Sequence, residues 1–490
     1  MKIPFLLTGL LFLTFFDGWG QQQISWRTDN YAGVNSIFIN PAAVSTYPLK
    51  WDLNIVEAGQ FFYNNYAFLH NTNLPELYKN RENLEFVFGP DYKKEPSPLA
   101  SGTVIADFYE GEKKRYAAGS TFVTGPSFLL NIGENHFAGF FTRARFAFGS
   151  QDIPAPFSYY PYDARRFFEP FSIDRFQGSA MAWAEYGLTY TYKKSTATGF
   201  LSMGANLKLL RGYEAAFFQI NGDFEFTKLP GDSISGSLAD IAFGFTNSAI
   251  DNYENFKPQV NGSGFGIDAG LMYVFENQSN TNKPYEFKIG FSLLDIGSIR
   301  FSENAEKHIL QTRNAVIVAS DDYKSLTGTE SLDDAVKIFS RQILQDSLAS
   351  KAGNNFTMWL PGALSLQGDY AFNSFFFVNA AVIQRLAYKA PSPETGNLLA
   401  LTPRFEHRWF GASLPLILYN WQDFRMGATV RLGYLVVGTE NLGSFVSRSN
   451  LTGADFFFAL KFNPFGLNFG DSYASKNFKR KRGKVKCYKF

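Results

Sequence analysis

Arg143 and Arg145 in "FFTRARFAF", Glu185 in "EYGLTYTY", Lys208 in "GANLKLL", Asp268 in "FGIDAGLMYVF", and Arg425 and Arg431 in "FRMGATVRL" are charges spaced among apolar and aromatic residues. Glu286, Lys288, Asp369 and Asp455 occupy similar settings. Charges gathered on one face can pair across an enclosed space, line a polar passage or, at one height, form a ring that selects ions. Catalysis is not indicated. The four histidines (His70, His136, His308, His407) are not spaced as metal ligands, and there is no H-E-x-x-H, nucleophile elbow or phosphate loop. Gly264 and Gly266 form a G-x-G pair with no helix after it, so they read as inward glycines of a strand rather than a nucleotide site. No cofactor and no enzymatic activity are expected.

The elements that must position these charges are strands. In 185–192, Tyr186, Leu188, Tyr190 and Tyr192 share one face and Glu185, Gly187, Thr189 and Thr191 the other. In 201–209 the apolar set is Leu201, Met203, Ala205, Leu207 and Leu209, opposite Ser202, Gly204, Asn206 and Lys208. Period two over such lengths means strand. Similar alternation recurs along the chain and predicts an all-β fold, a transmembrane antiparallel β-barrel of about fourteen strands, lipid outside and polar lumen inside. The expected crossings lie near 51–60, 117–132, 137–149, 182–193, 198–211, 262–275, 284–297, 357–371, 374–387, 398–408, 410–419, 422–432, 435–443 and 454–462. On strand 284–297 the expected outward set is Tyr285, Phe287, Ile289, Phe291 and Leu293, with Glu286, Lys288 and Ser292 inward. Short links such as 133–135 and 433–434 alternate with long ones at 61–116, 150–181, 212–261 and 298–356. That places both termini in the periplasm and the long loops outside. The short link at 420–421 breaks this rhythm. Within the longest loop, Leu332, Ala335, Val336, Phe339 and Ile343 fall at helical spacing behind Ser331 as N-cap.

Composition agrees. Phe (54), Tyr (25) and Gly (42) are abundant and only 18% of the 490 residues are charged. No apolar run long enough for a spanning helix follows the N-terminus. Residues 1–20 read as a secretory signal peptide cleaved near Gly20–Gln21, 21–50 as a plug-like N-terminal segment, 51–463 as the barrel and 464–490 as a basic periplasmic tail. Cys487 is the sole cysteine, so no disulfide forms within the chain. The tail carries eight basic residues, with Lys479, Arg480, Lys481 and Arg482 at its centre, and no acid after Asp471. Nucleic acid is absent from the periplasm, which leaves an anionic surface or an acidic envelope protein as its partner. Lipid of the outer membrane is the other partner.

The stretches "NSIFINPAAV" (35–44), "GFGIDAGLMYVF", "KIGFSLLDIGSIRF", "LPGALSLQGDYAF", "LTPRFEHRWFGASLPLILYN" and "RMGATVRLGYLVVGTENL" together resemble an uncharacterised family of Bacteroidota outer-membrane β-barrels, a domain of unknown function. The N-P-A segment is also similar to FadL-type transporters and to the PorP/SprF-type barrels of type IX secretion. The FadL resemblance implies an N-terminal plug inside a fourteen-stranded barrel. Two functions are expected to compete. One is a porin-like or FadL-like channel for small solutes or hydrophobic compounds, and the other a non-transporting structural or assembly partner in the cell envelope.

Overall fold

The computed structural model describes residues 23–464 apart from 223, 232, 238–239, 248–257, 278–282, 313–315, 319–331 and 387–388. The expected signal peptide, the basic tail and the Ser331 cap therefore lie outside the described residues.

Fourteen antiparallel strands form one closed barrel. They are β1 (Trp51–Asn64), β2 (Arg115–Thr124 and Ser127–Ile132), β3 (His136–Ile153), β4 (Phe176–Ser195), β5 (Gly199–Ile220), β6 (Gly262–Phe275) and β7 (Phe287–Phe301). The second half comprises β8 (Phe356–Trp359 and Ala363–Ala371), β9 (Phe376–Arg385), β10 (Leu398–Glu406), β11 (Phe410–Ser413 and Leu416–Tyr419), β12 (Asp423–Met426 and Ala428–Leu432), β13 (Leu435–Thr439) and β14 (Gly453–Phe462). The last strand pairs with the first, Leu53 opposite Phe462 through Tyr63 opposite Gly453, which closes the ring. Proline explains three interruptions, the third at Pro415 in β11. Pro126 in β2 and Pro361 in β8 have no N–H for the ladder, and the strand resumes beyond each.

Alternation holds where it is strongest. Leu207, Phe265 and Phe424 are 60%, 74% and 68% exposed on the outer surface, while Asn206, Asp268 and Arg425 beside them are buried. An apolar exterior and charged interior on a closed barrel is the architecture of an outer-membrane protein. The short link at 420–421 is a tight hairpin whose Asn420 and Trp421 both take positive φ (48° and 61°), as a two-residue turn between strands requires.

The wall is not of even height. β4 has 20 residues and β5 22, paired from Ser195–Phe200 to Phe176–Ile220 with one bulge. About 9 to 11 residues suffice to cross a bilayer, so this hairpin continues beyond it. Its upper end pairs with Asp240–Thr246, which pairs in turn with Ala305–Gln311. Two small four-stranded sheets, one of them with a parallel pair at Glu85–Phe88 and Thr103–Phe108, occupy connections at the same end. The expected helix is present as Leu332–Leu344 with Val336 buried.

Candidate functional site

Residues 23–47 fold as a short helix (Ile24–Arg27) and two 3-10 helices (Gly33–Phe38 and Pro41–Thr46). Asn40 starts the last of these. Its side chain accepts from the Ala42 N–H at 2.9 Å, and Pro41 follows at a position where its missing N–H costs nothing.

Inward side chains from around the wall meet this segment. On β1, Glu57 pairs with Arg27 at 2.9 Å and accepts from Asn35 at 2.8 Å, while Asp52 accepts from the Val34 N–H at 2.8 Å. The Thr191 hydroxyl of β4 donates to the Pro41 carbonyl at 2.7 Å, and Ser292 of β7 to that of Ile39 at 2.6 Å. From the other half, Glu406 accepts from Asn30 at 2.8 Å, Ser413 donates to the Ser25 carbonyl at 2.9 Å and Thr429 to the Ser25 hydroxyl at 2.8 Å. Glycines clear the way at close approaches. A Cβ on Gly204 would lie 2.5 Å from the Pro41 backbone, and one on Gly270 2.1 Å from Asn40 Oδ1. Apolar packing completes the fit, with Val34, Ile37, Phe38 and Val44 against Leu129, Phe137 and Phe141 of β2 and β3.

The predicted charges fall into this interior and most of them pair. Arg145 bridges Glu185 and Asp295, both at 2.8 Å, and Lys208 bridges Asp268 at 2.8 Å and Asp295 at 2.6 Å. Arg431 pairs with Asp29 at 3.4 Å and lies over the Tyr31 ring at 4.6 Å. Burial pushes the Tyr31 phenol up, against the pull of Arg431, so the ring stays neutral beneath that cation. Arg143 and Arg425 have no ion pair among the described residues. Arg143 lies 4.2 Å from the Phe122 ring centre, Arg425 4.4 Å from that of Tyr419. Lys288 donates to Asn30 at 2.9 Å, Asp369 pairs with Arg404 at 2.8 Å, and Asp455 is buried.

Two expectations fail on one strand. Tyr285 is buried and donates to Asp369 at 2.8 Å, whereas Glu286 is half exposed and pairs with Lys283 at 3.2 Å. The strand starts at Phe287, so alternation has no hold on the turn before it. Among the strand glycines, Gly204 and Gly290 face the N-terminal segment, Gly266 approaches Leu360, and Gly427 sits at a break in β12 against Thr439 and Pro415.

Sequence reasoning missed Asp295, Glu57, Arg404 and Glu406. Asp295 has positive φ (55°) at a bulge that shifts the register between β6 and β7, turning inward a residue that parity places outside. A bulge at Ile55 likewise reverses parity before Glu57. Arg404 and Glu406 follow plain alternation and were open to the same reading as Asp369.

The connection from β9 to β10 folds into the barrel. The Trp359 N–H donates to the Pro391 carbonyl at 2.9 Å, the Gly396 N–H to the Tyr419 hydroxyl at 2.9 Å, and Gln177 of β4 to the Glu394 carboxylate at 2.7 Å. A Cβ on Gly149 of β3 would lie 1.9 Å from the Glu394 carbonyl oxygen, so glycine lets the loop touch the far wall. Between this loop and residues 23–47 lies a cavity with about 60 Å³ of space open to the centre of a water-sized sphere. Nearer the short turns, a second space of about 30 Å³ by the same measure adjoins Asn30, Lys288 and Asp369. Among the described residues no three His, Cys, Asp or Glu side chains are grouped to hold a metal ion.

The chain belongs to the Family of unknown function (DUF5723), whose model matches residues 41–440. No curated protein matches its sequence. Among solved structures it is similar to a TodX deltaS2S3 mutant monoaromatic hydrocarbon channel (8% identity, 88% of this chain and 95% of that one, TM-score 0.40). It is also similar to the Ralstonia pickettii toluene transporter TbuX (8%, 88% and 94%, 0.29) and to a Pseudomonas aeruginosa FadL homologue (10%, 91% and 97%, 0.22).

Proposed function

We propose that the protein is an outer-membrane channel for small solutes or hydrophobic compounds, with residues 23–47 acting as a plug that closes the lumen at rest. The observation that carries this reading is the pair of spaces on either side of the segment, which is held to the wall by hydrogen bonds and ion pairs beside its apolar contacts. A segment held by hydrogen bonds and ion pairs can exchange those partners for water or solute when it moves. The competing assembly role draws on the two buried ion pairs that hold the segment, Arg27–Glu57 and Asp29–Arg431, which would suit a barrel that never opens.

A tether separates the two. Ser25 and Thr429 place their hydroxyls 2.8 Å apart, close enough for a Ser25→Cys, Thr429→Cys disulfide in a Cys487→Ser background. Uptake into liposomes should fall when the tether is oxidised and return on reduction. Uptake that ignores the tether would remove the plug from the transport path.

A further inference from the structure

We propose that the cavity between the plug and the infolded 389–397 loop binds a small aromatic carboxylate, a planar ring bearing one ionised carboxyl group, and that Arg143 is its anion partner. The inference deepens the channel reading and rests on it.

Four cations border the cavity: Arg27, Arg143, Arg145 and Lys208. Four carboxylates surround them, and geometry shares these out unevenly. Glu57 is taken by Arg27 at 2.9 Å, Glu185 by Arg145 at 2.8 Å and Asp268 by Lys208 at 2.8 Å. The fourth, Asp295, lies between Arg145 and Lys208 at 2.8 and 2.6 Å. Arg143 is left with no ion pair or hydrogen bond among the described residues. It is 9% exposed and its Nε is buried without a partner. Its guanidinium lies 4.2 Å from the Phe122 ring centre and 4.5 Å from that of Phe38.

A buried guanidinium whose donors are unused is built for a planar oxyanion, which it grips through two parallel N–H bonds. The surroundings narrow the choice. Phe38, Phe61, Phe122 and Tyr419 line the same space, each with an arginine over one face, and the ring surface left to the cavity suits a flat ring. The loop above and the plug below limit its length, which disfavours an extended chain. The neighbouring carboxylates Glu185, Asp268 and Asp295 repel a second negative charge, which favours a monoanion over phosphate.

Equilibrium dialysis of radiolabelled benzoate against the full-length protein in detergent tests the assignment, with benzyl alcohol and inorganic phosphate as competitors. Benzoate should bind saturably, with benzyl alcohol about tenfold or more weaker because it leaves the cation unpaired. Phosphate should compete poorly. Arg143→Gln should weaken benzoate by a similar factor, and Arg143→Lys, which keeps the charge without the fork, should retain part of the affinity. The benzoate and benzyl alcohol comparison needs no variant, so a folding failure of Arg143→Gln leaves the test standing. Equal affinity for benzoate and benzyl alcohol, no benzoate binding, or unchanged binding in folded Arg143→Gln would overturn the proposal. Binding without passage across a bilayer would instead count against the channel reading alone.

Discussion

Arg27 and Glu57 form an ion pair 2.9 Å long whose side chains are 1% and 0% exposed, joining the N-terminal segment, the proposed plug, to the first strand in the interior of the barrel. Removing one partner strands the other. Glu57→Ala is expected to cost about 3–5 kcal/mol of attachment, read as earlier thermal unfolding and as protease cleavage within residues 23–47. The double change Arg27→Met with Glu57→Leu removes both charges and should recover much of that loss. Equal damage in the single and double variants would show that the pair does not hold the plug.

Neighbouring positions on β5 should both reject arginine, for opposite reasons. Leu207 is 60% exposed on the lipid face, where a cation near mid-bilayer costs about 2–4 kcal/mol. Asn206 is buried, donating to the Ile37 carbonyl at 3.2 Å and to Asp268 at 2.8 Å, so Asn206→Arg displaces the plug instead. Folding yield into lipid should fall for Leu207→Arg. Folded Asn206→Arg should show plug proteolysis. A protected plug in Asn206→Arg would contradict this placement.

Strand positions and charge direction were legible wherever alternation ran unbroken, as from Glu185 to Tyr192 and through Phe424 to Leu432. Bulges were not legible. Nothing in the type of Asp295 or Glu57 announces that the strand has slipped by one residue, because the cause is a backbone conformation set by the neighbouring strand. The infolded 389–397 loop was hidden for a related reason. Its anchor at Gly149 lies across the barrel, and a glycine in a strand reads the same whether it meets lipid, solvent or another segment.

Glycine substitutions distinguish the plug contact from general wall damage. Gly204→Ala sets a Cβ 2.5 Å from the Pro41 backbone and should loosen the Pro41–Thr46 turn. At Gly368 the nearest atom to such a Cβ is in the Phe287 ring, at 3.5 Å, so Gly368→Ala should be silent. Protease accessibility of the plug is the measurement. The same response from both variants would count against a specific contact.

The basic tail is proposed to retain an acidic envelope partner or an anionic surface from the periplasmic side. Replacing Lys479, Arg480, Lys481 and Arg482 by Gln should leave barrel insertion intact and abolish the salt-sensitive part of envelope co-purification, since such attraction fades beyond a Debye length of about 8 Å. Unchanged co-purification at low and high salt would reduce the tail to a solvated end.

Single-channel conductance in planar bilayers addresses the plug most directly, comparing the full-length protein with one lacking residues 24–46, each first shown to be folded. The full-length barrel is expected to be mostly closed and the deletion to give long, larger openings, because the groups of Glu57, Thr191, Ser292, Glu406 and Thr429 that bond residues 23–47 then face water. A folded deletion protein that conducts no more than the full-length one would contradict that expectation.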